Sequence, residues 1–339
     1  MTSSNSLTNK QEQLFRRLAL LTVIIIYLLV LAGGIVRGTG SGMGCPDWPT
    51  CFGRWIPPTE AAQLPSNYQK IYGAKLKGEV NFNAVKTWIE YVNRLLGVLS
   101  GFFVLGTLLA SISYLRKDKA IFWGSLIAFL MIGVNGWLGS RVVATELAQY
   151  IVTLHLLLAL VVVFALLFVW VRSSPVYFHV GSTVSQVKVV RPLLLVIMGL
   201  TFIQVILGTQ VRASLDTVVK QLGYEQRADW IEQLGGSFYV HRSFSLLVLL
   251  VHVLVIYQLR KVSTVGVVAN LANALLGLVV AEIGTGIVMA YLGVPALAQP
   301  IHLELAVIII GLQFIAWLTI SPVQTDLFRR NKGFRLVDV

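Results

Sequence analysis

At 339 residues, with 56% hydrophobic and only 12% charged residues and a mean hydropathy of +0.77, the chain is too apolar for a water-soluble domain. Its net charge of +12 follows the ends of apolar runs, so it reads as membrane topology and speaks against a nucleic-acid partner. The fold class predicted is all-α and polytopic, with lipids as the surrounding partner.

A helix needs about 20 apolar residues to cross a bilayer. Runs of that length fall at 18–36, 87–114, 120–140, 149–171, 193–211, 238–259, 266–291 and 300–320, giving eight predicted spans. Arg16 and Arg17 precede span one, which is long enough to cross and shows no convincing cleavage site, so it reads as a retained helix. The 37–86 loop follows. It opens with Gly38-Thr39-Gly40-Ser41-Gly42-Met43-Gly44 and carries both cysteines in Cys45-Pro46-Asp47-Trp48-Pro49-Thr50-Cys51. The glycine run follows a membrane span with no βαβ unit, which argues against a nucleotide loop; close backbone approach to a cofactor or to the cysteine hairpin fits better. On an oxidising side the two thiols can form a disulfide. Their spacing departs from Cys-x-x-Cys, and a structural staple and a redox-active or substrate-receiving pair both stay open.

Residues 173–187, with Ser173, Ser174, Pro175, His179, Gly181 and Ser182, read as a linker between spans four and five. The 213–236 segment sets Val218, Val219, Leu222, Trp230 and Ile231 among charges and is expected to lie on the membrane surface. Lys10, Arg16, Arg17, Arg116, Lys117, Lys119, Arg172, Lys188, Arg191, Arg260, Lys261, Arg329, Arg330, Lys332 and Arg335 fall on one face. The positive-inside rule makes that face cytoplasmic, with both termini on it and the cysteine loop outside.

The chain also repeats itself. Ile89-Glu90-Tyr91-Val92-Asn93-Arg94 opens span two and Ser237-Phe238-Tyr239-Val240-His241-Arg242 opens span six. Leu147-Ala148-Gln149 and Leu297-Ala298-Gln299 lead into spans four and eight, and Gly34-Ile35-Val36-Arg37 parallels Thr209-Gln210-Val211-Arg212 at the ends of spans one and five. The matches keep one order, and an even number of spans per copy gives both the same orientation. The prediction is an N-terminal four-helix bundle over 1–172, a cytoplasmic linker over 173–187 and a C-terminal four-helix bundle over 188–339.

His155, His241 and His302 each stand at the outer end of an even-numbered span, and Asn93 takes that place in span two. Polar groups at membrane depth tend to face the bundle interior. Imidazoles from facing helices are a common way to hold haem iron, whereas zinc would want three or four converging ligands. Arg37, Arg94, Arg141, Arg212 and Arg242 lie at the same ends, where guanidinium groups can pair with haem propionates. Glu90 shares a helical face with Asn93 and Arg94; it reads as a salt bridge to Arg94 or as a carboxylate able to move protons at a haem rim. His252, three turns beyond His241, reads as a helix-helix hydrogen bond, and Glu304 as pointing away from His302 towards another helix.

Gly33 to Gly42, the Cys45 to Cys51 segment, Glu90-Tyr91-Val92-Asn93-Arg94, Thr153-Leu154-His155, His241-Arg242 and the His302 helix together resemble the haem A synthases, across all eight spans. The resemblance implies a bacterial inner-membrane oxidoreductase acting on a methyl group, converting the C8 methyl of haem O to a formyl group for terminal oxidase assembly. It implies haem b bound in the C-terminal bundle by His241 and His302. It also implies substrate haem O in the N-terminal bundle near His155, with Glu90 in catalysis. The departure is Asn93, where the family pattern Glu-Tyr-x-His-Arg has histidine; a substrate haem held by His155 alone, with Asn93 bonding a distal ligand, is the expectation. A haem O synthase, an electron donor or acceptor and a second copy of the chain are further candidate partners.

The main alternative is a di-haem b electron-transfer protein that modifies no haem and uses the same histidines. A thiol oxidase centred on Cys45 and Cys51 would want a further cysteine pair, and a transporter would want a broken helix.

Overall fold

The computed structural model describes residues 2–73, 81–178, 184–223 and 225–323. His179, Gly181 and Ser182 of the predicted linker, and Arg329, Arg330, Lys332 and Arg335, lie outside the described residues. Among those described, eight helices are long and apolar enough to cross a membrane, and the chain is a multi-pass helical membrane protein. They are α1 (Thr2–Gly38), α3 (Ala84–Ser111), α4 (Lys119–Ala144), α5 (Gln149–Ser173), α6 (Val184–Leu222), α7 (Gly236–Val262), α8 (Gly266–Tyr291) and α9 (Ala298–Thr319); α2 (Tyr68–Tyr72) is a short helix in the cysteine loop.

The boundaries have local causes. Asn83 caps α3 by accepting from the Lys86 N–H at 3.1 Å. Asp118 caps α4 through the Ala120 N–H at 3.2 Å and pairs with Arg172 of α5 at 2.7 Å, tying one end of the bundle together. Gly223, at φ 74°, lets the chain turn out of α6.

Helix α1 packs on α3 and α5, α3 on α4, and α4 on α5; likewise α6 packs on α7 and α9, α7 on α8, and α8 on α9. Helix α9 also packs on α1 and α5. One buried apolar cluster accordingly draws Val23 and Ile26 from α1, Leu166 from α5, Ile197 from α6, Val255 from α7 and Ile309 from α9. At the cysteine-loop end, Asp216 accepts from Arg37 at 2.5 Å and from Arg212 at 2.9 Å. The guanidinium of Arg212 also donates to the Arg37 carbonyl at 2.9 Å, so the two arginines join α6 to α1.

Two expectations need correction. Helix α6 begins at Val184, inside the predicted linker, and continues to Leu222, well past the predicted end of span five. The 213–236 segment is therefore partly helix. Its apolar residues cover protein: Trp230 is buried with Leu215, Val218, Leu234 and Val294, and Arg227 stacks 5.0 Å from the Trp230 ring while donating to Gly293 and Val294 carbonyls at 2.7 Å. The amphipathic pattern is real, but its apolar side closes the end of α8.

Candidate functional site

Cys45 and Cys51 form a disulfide and are fully buried. Asp47 organises the hairpin between them, accepting from the Thr50 hydroxyl at 2.5 Å and from the Phe52 and Gly53 N–H groups at 2.6 and 2.8 Å. Phe52 then lies edge-on to Tyr72 and Phe82. Gly44 shows why the glycine run ends here: an added Cβ would sit 2.5 Å from the Lys86 carbonyl oxygen of α3. The Thr87 hydroxyl closes this contact by donating to the Gly44 carbonyl at 2.9 Å.

Glu90 and Arg94, one turn apart on α3, hold this hairpin. The Arg94 guanidinium donates to Glu90 at 2.6 Å and to the carbonyls of Asp47, Thr50 and Cys45 at 2.7, 2.9 and 3.0 Å. Glu90 in turn accepts from the Cys45 N–H at 2.8 Å. The salt-bridge reading of Glu90 is what the side chains make, and it extends into a clamp on the disulfide loop. Arg94 is committed to that loop. Arg141 and Arg242 are exposed and have no side-chain partner among the described residues.

The histidines share a packing rule that the sequence reading missed. A Cβ added at Gly139 of α4 would meet the His155 ring at 3.4 Å, one at Gly208 of α6 the His241 ring at 3.3 Å, and one at Gly286 of α8 the His302 ring at 3.6 Å. Gly33 of α1 stands in the same relation to Asn93 Oδ1, at 3.9 Å. Each glycine lets a polar side chain on the next span settle against bare helix. Four residues before these glycines come Asn135, Gln204 and Glu282, but Leu29 before Gly33. The recurring signal, a polar residue and then glycine one turn on in spans three, five and seven, is visible in the sequence once the pairing is known.

In the second half, the ring centres of His241 and His302 are 6.4 Å apart, with planes at 73°. The Gln204 amide donates to the His241 carbonyl at 3.0 Å. His302 Nδ1 lies 2.8 Å from the Thr285 hydroxyl, and its Nε2 lies 3.3 Å from Glu282 Oε1. His241 Nδ1 is buried without a partner among the described residues. Imidazole nitrogens bind transition metals at about 2 Å, and adding ~1 Å from nitrogen to ring centre on each side means that two imidazoles that would share one ion have ring centres roughly 6 Å apart. The observed spacing fits one metal ion between the rings, while His241 Nδ1 faces the α6 backbone at Gly208. In the first half, His155 Nδ1, Asn135 Oδ1 and Asn93 Oδ1 are likewise buried without partners among the described residues.

His252 is a packing residue. Its Nδ1 donates to the Val248 carbonyl at 2.8 Å, leaving Nε2 to accept from the Gln313 amide at 2.8 Å, and that amide also reaches Thr201 at 3.0 Å. Replacing Gln313 with leucine should remove these interhelical bonds, worth about 0.6–1.7 kcal/mol each in membrane helices. A thermal melt is expected to fall by a few degrees with haem content unchanged; loss of haem would give His252 a further role. Glu304, expected to meet another helix, is buried, and its Oε2 has no hydrogen-bond partner among the described residues.

The fold and these glycine-seated imidazoles, gathered at one end of the helices, define a multi-pass helical membrane protein with a candidate site built on histidines. Residues 16–314 match the model of the COX15-CtaA family, described as cytochrome oxidase assembly protein, and the chain belongs to that family. Among curated relatives, proteins named heme A synthase are similar to it: 27% identity over 188 residues in Shewanella oneidensis (56% of this chain, 54% of that protein) and 32% over 174 in Bartonella quintana (47% of each). In Nitrosomonas eutropha the identity is 29% over 208 residues, 56% of each chain. The chain spans about half the length of the curated relatives it matches.

Proposed function

We propose that this chain is a haem A synthase, an oxidoreductase that converts the C8 methyl of haem O to the formyl of haem A. The observation that carries this reading is the pair His241 and His302 at 6.4 Å, set against a first half in which only His155 supplies an imidazole at the matching positions. Family membership and the names of the relatives favour it over a di-haem electron carrier. Haem b between His241 and His302 would supply one-electron redox chemistry. Thr285 fixes the orientation of His302 from its Nδ1 side, and Gln204 steadies the α7 backbone at His241.

The first half, residues 1–172, is the proposed substrate bundle, and residues 188–339 are the cofactor bundle. His155 receives haem O, and Asn93 offers an amide where the family pattern has a second imidazole. Glu90 holds the cysteine loop beside Asn93 and is the carboxylate that handles protons at that rim. Arg141 and Arg242 are the propionate partners free for that task, while Arg37 and Arg212 steady the junction through Asp216. The protein resides in a bacterial inner membrane with its termini cytoplasmic and its disulfide loop outside, supplied by a haem O synthase and linked to an external electron donor or acceptor. A second copy of the chain is a further partner.

The test is co-expression with a haem O synthase in a host that lacks haem A, followed by chromatography and mass spectrometry of the extracted haems. Haem A or its C8-hydroxymethyl intermediate is expected; unmodified haem O beside haem b would overturn the proposal. A separate prediction concerns Asn93. Wild-type protein loaded with haem O should show a high-spin component in its absorption spectrum, which Asn93→His converts to low spin. A wholly low-spin wild-type spectrum would contradict single-imidazole binding.

A further inference from the structure

At the helix ends away from the cysteine loop, the two halves treat their cations differently. In the first half Glu12 pairs with Arg16 at 3.2 Å and with Lys117 at 2.6 Å, and Asp118 pairs with Arg172 at 2.7 Å. In the second half Lys188 and Arg191 of α6 meet no acid. Residues 149–215, 233–281 and 305–323 contain no aspartate or glutamate, so among the described residues α5, α6, α7, α8 and α9 bring none to this end.

Arg191 stands two turns into α6, with its guanidinium 4.7 Å from the centre of the Trp317 ring of α9. That ring is itself held, stacked on Phe314 with planes at 13°. Arg191 makes no hydrogen bond or ion pair among the described residues; its Nε is buried, and so is the unpartnered Nε1 of Trp317. A cation and an indole N–H thus share the crevice between α6 and α9 with no acceptor. A charge at membrane depth is costly until it is paired, and the π face of Trp317 offers attraction but no lone pair to the guanidinium N–H groups.

Lys188 lies three residues before Arg191, on the neighbouring part of the same helix face. From Lys188 a stripe of exposed residues runs towards the membrane centre through Pro192, Leu195, Gly199 and Ile203. The two cations therefore stand at the head of a lipid-facing apolar strip. We propose that Lys188 and Arg191 bind the phosphate of an anionic phospholipid, whose acyl chains lie along this strip of α6. Arginine supplies a planar fork that matches phosphate oxygens, and lysine adds a point charge beside it. Basic pockets between membrane helices at headgroup level are suited to such lipids. A free phosphate offers the same oxygens but makes no use of the strip. The site depends on the membrane-spanning fold and not on the haem A synthase reading.

The test is native mass spectrometry of the full chain in detergent, titrated with phosphatidylglycerol, with phosphatidylcholine or with inorganic phosphate. Wild type is expected to take up one phosphatidylglycerol well before phosphatidylcholine. The double variant Lys188→Gln/Arg191→Gln should bind phosphatidylglycerol about thirtyfold more weakly, the effect of withdrawing two basic residues from an anionic lipid. Lys188→Gln alone removes an exposed side chain that the fold does not need and should show part of the loss. The variant Arg116→Gln/Lys119→Gln removes two exposed cations from the same end of the first half and should bind as wild type does. An equal loss in that variant would reduce the effect to diffuse charge and overturn the site. Equal uptake of the two lipids by wild type, or full uptake of phosphatidylglycerol by both Lys188 variants, would also overturn it. Inorganic phosphate that displaces the bound lipid at equal concentration would assign the cations to a free anion and overturn the lipid.

Discussion

His241→Ala and His302→Ala are each expected to strip the second half of haem b, lowering bound haem b by at least about 100-fold, and to abolish haem A formation. Each alanine removes one of two imidazoles whose ring centres lie 6.4 Å apart, leaving a single ring that would hold the group. Thr285→Val is the graded counterpart. It removes the hydroxyl 2.8 Å from His302 Nδ1 but leaves both rings, so haem b affinity should fall by about 10-fold to 100-fold, as for other outer-shell partners of metal-ligating histidines. Pyridine haemochrome spectra of the purified variants read all three directly. Wild-type haem b in His302→Ala would place the cofactor elsewhere.

Glu90→Ala should be the most damaging change in the first half, and through structure before chemistry. The Glu90 side chain is 5% exposed and that of Arg94 14%, and the carboxylate both neutralises Arg94 and accepts the Cys45 N–H. Removing one partner of a buried ion pair costs about 3–5 kcal/mol because the other charge is left uncompensated. The expected result is a loosened hairpin: the Cys45–Cys51 disulfide, inaccessible in the wild type, becomes reducible by a mild thiol and labelled by maleimide. The variant Glu90→Gln keeps an acceptor for Cys45 and should keep the disulfide protected. Its product yield then isolates the proton-handling role. Protected cysteines in Glu90→Ala would show that the clamp is dispensable.

Much of this was legible in the sequence. Hydropathy located all eight long helices because bilayer thickness dictates their length. What stayed hidden depends on how each helix is rotated against its neighbours, which composition does not encode. Arg94 and Arg242 occupy matching positions in the repeat, yet one is clamped to three loop carbonyls and the other is exposed. Gly139, Gly208 and Gly286 look like ordinary membrane-helix glycines until their imidazoles are seen against them. The extension of α6 was missed because its last turns carry charges, which a hydropathy reading assigns to a loop, while its apolar side packs on Trp230.

On the proposed function the two halves differ in kind: one would keep a resident haem b and the other would wait for a substrate. The most direct measurement is the haem content of the protein purified from cells that make haem b but no haem O. One haem b per chain, lost in His241→Ala and retained in His155→Ala, is the predicted result. Two haems b per chain, one of them lost with each variant, would contradict it and point to a di-haem electron carrier.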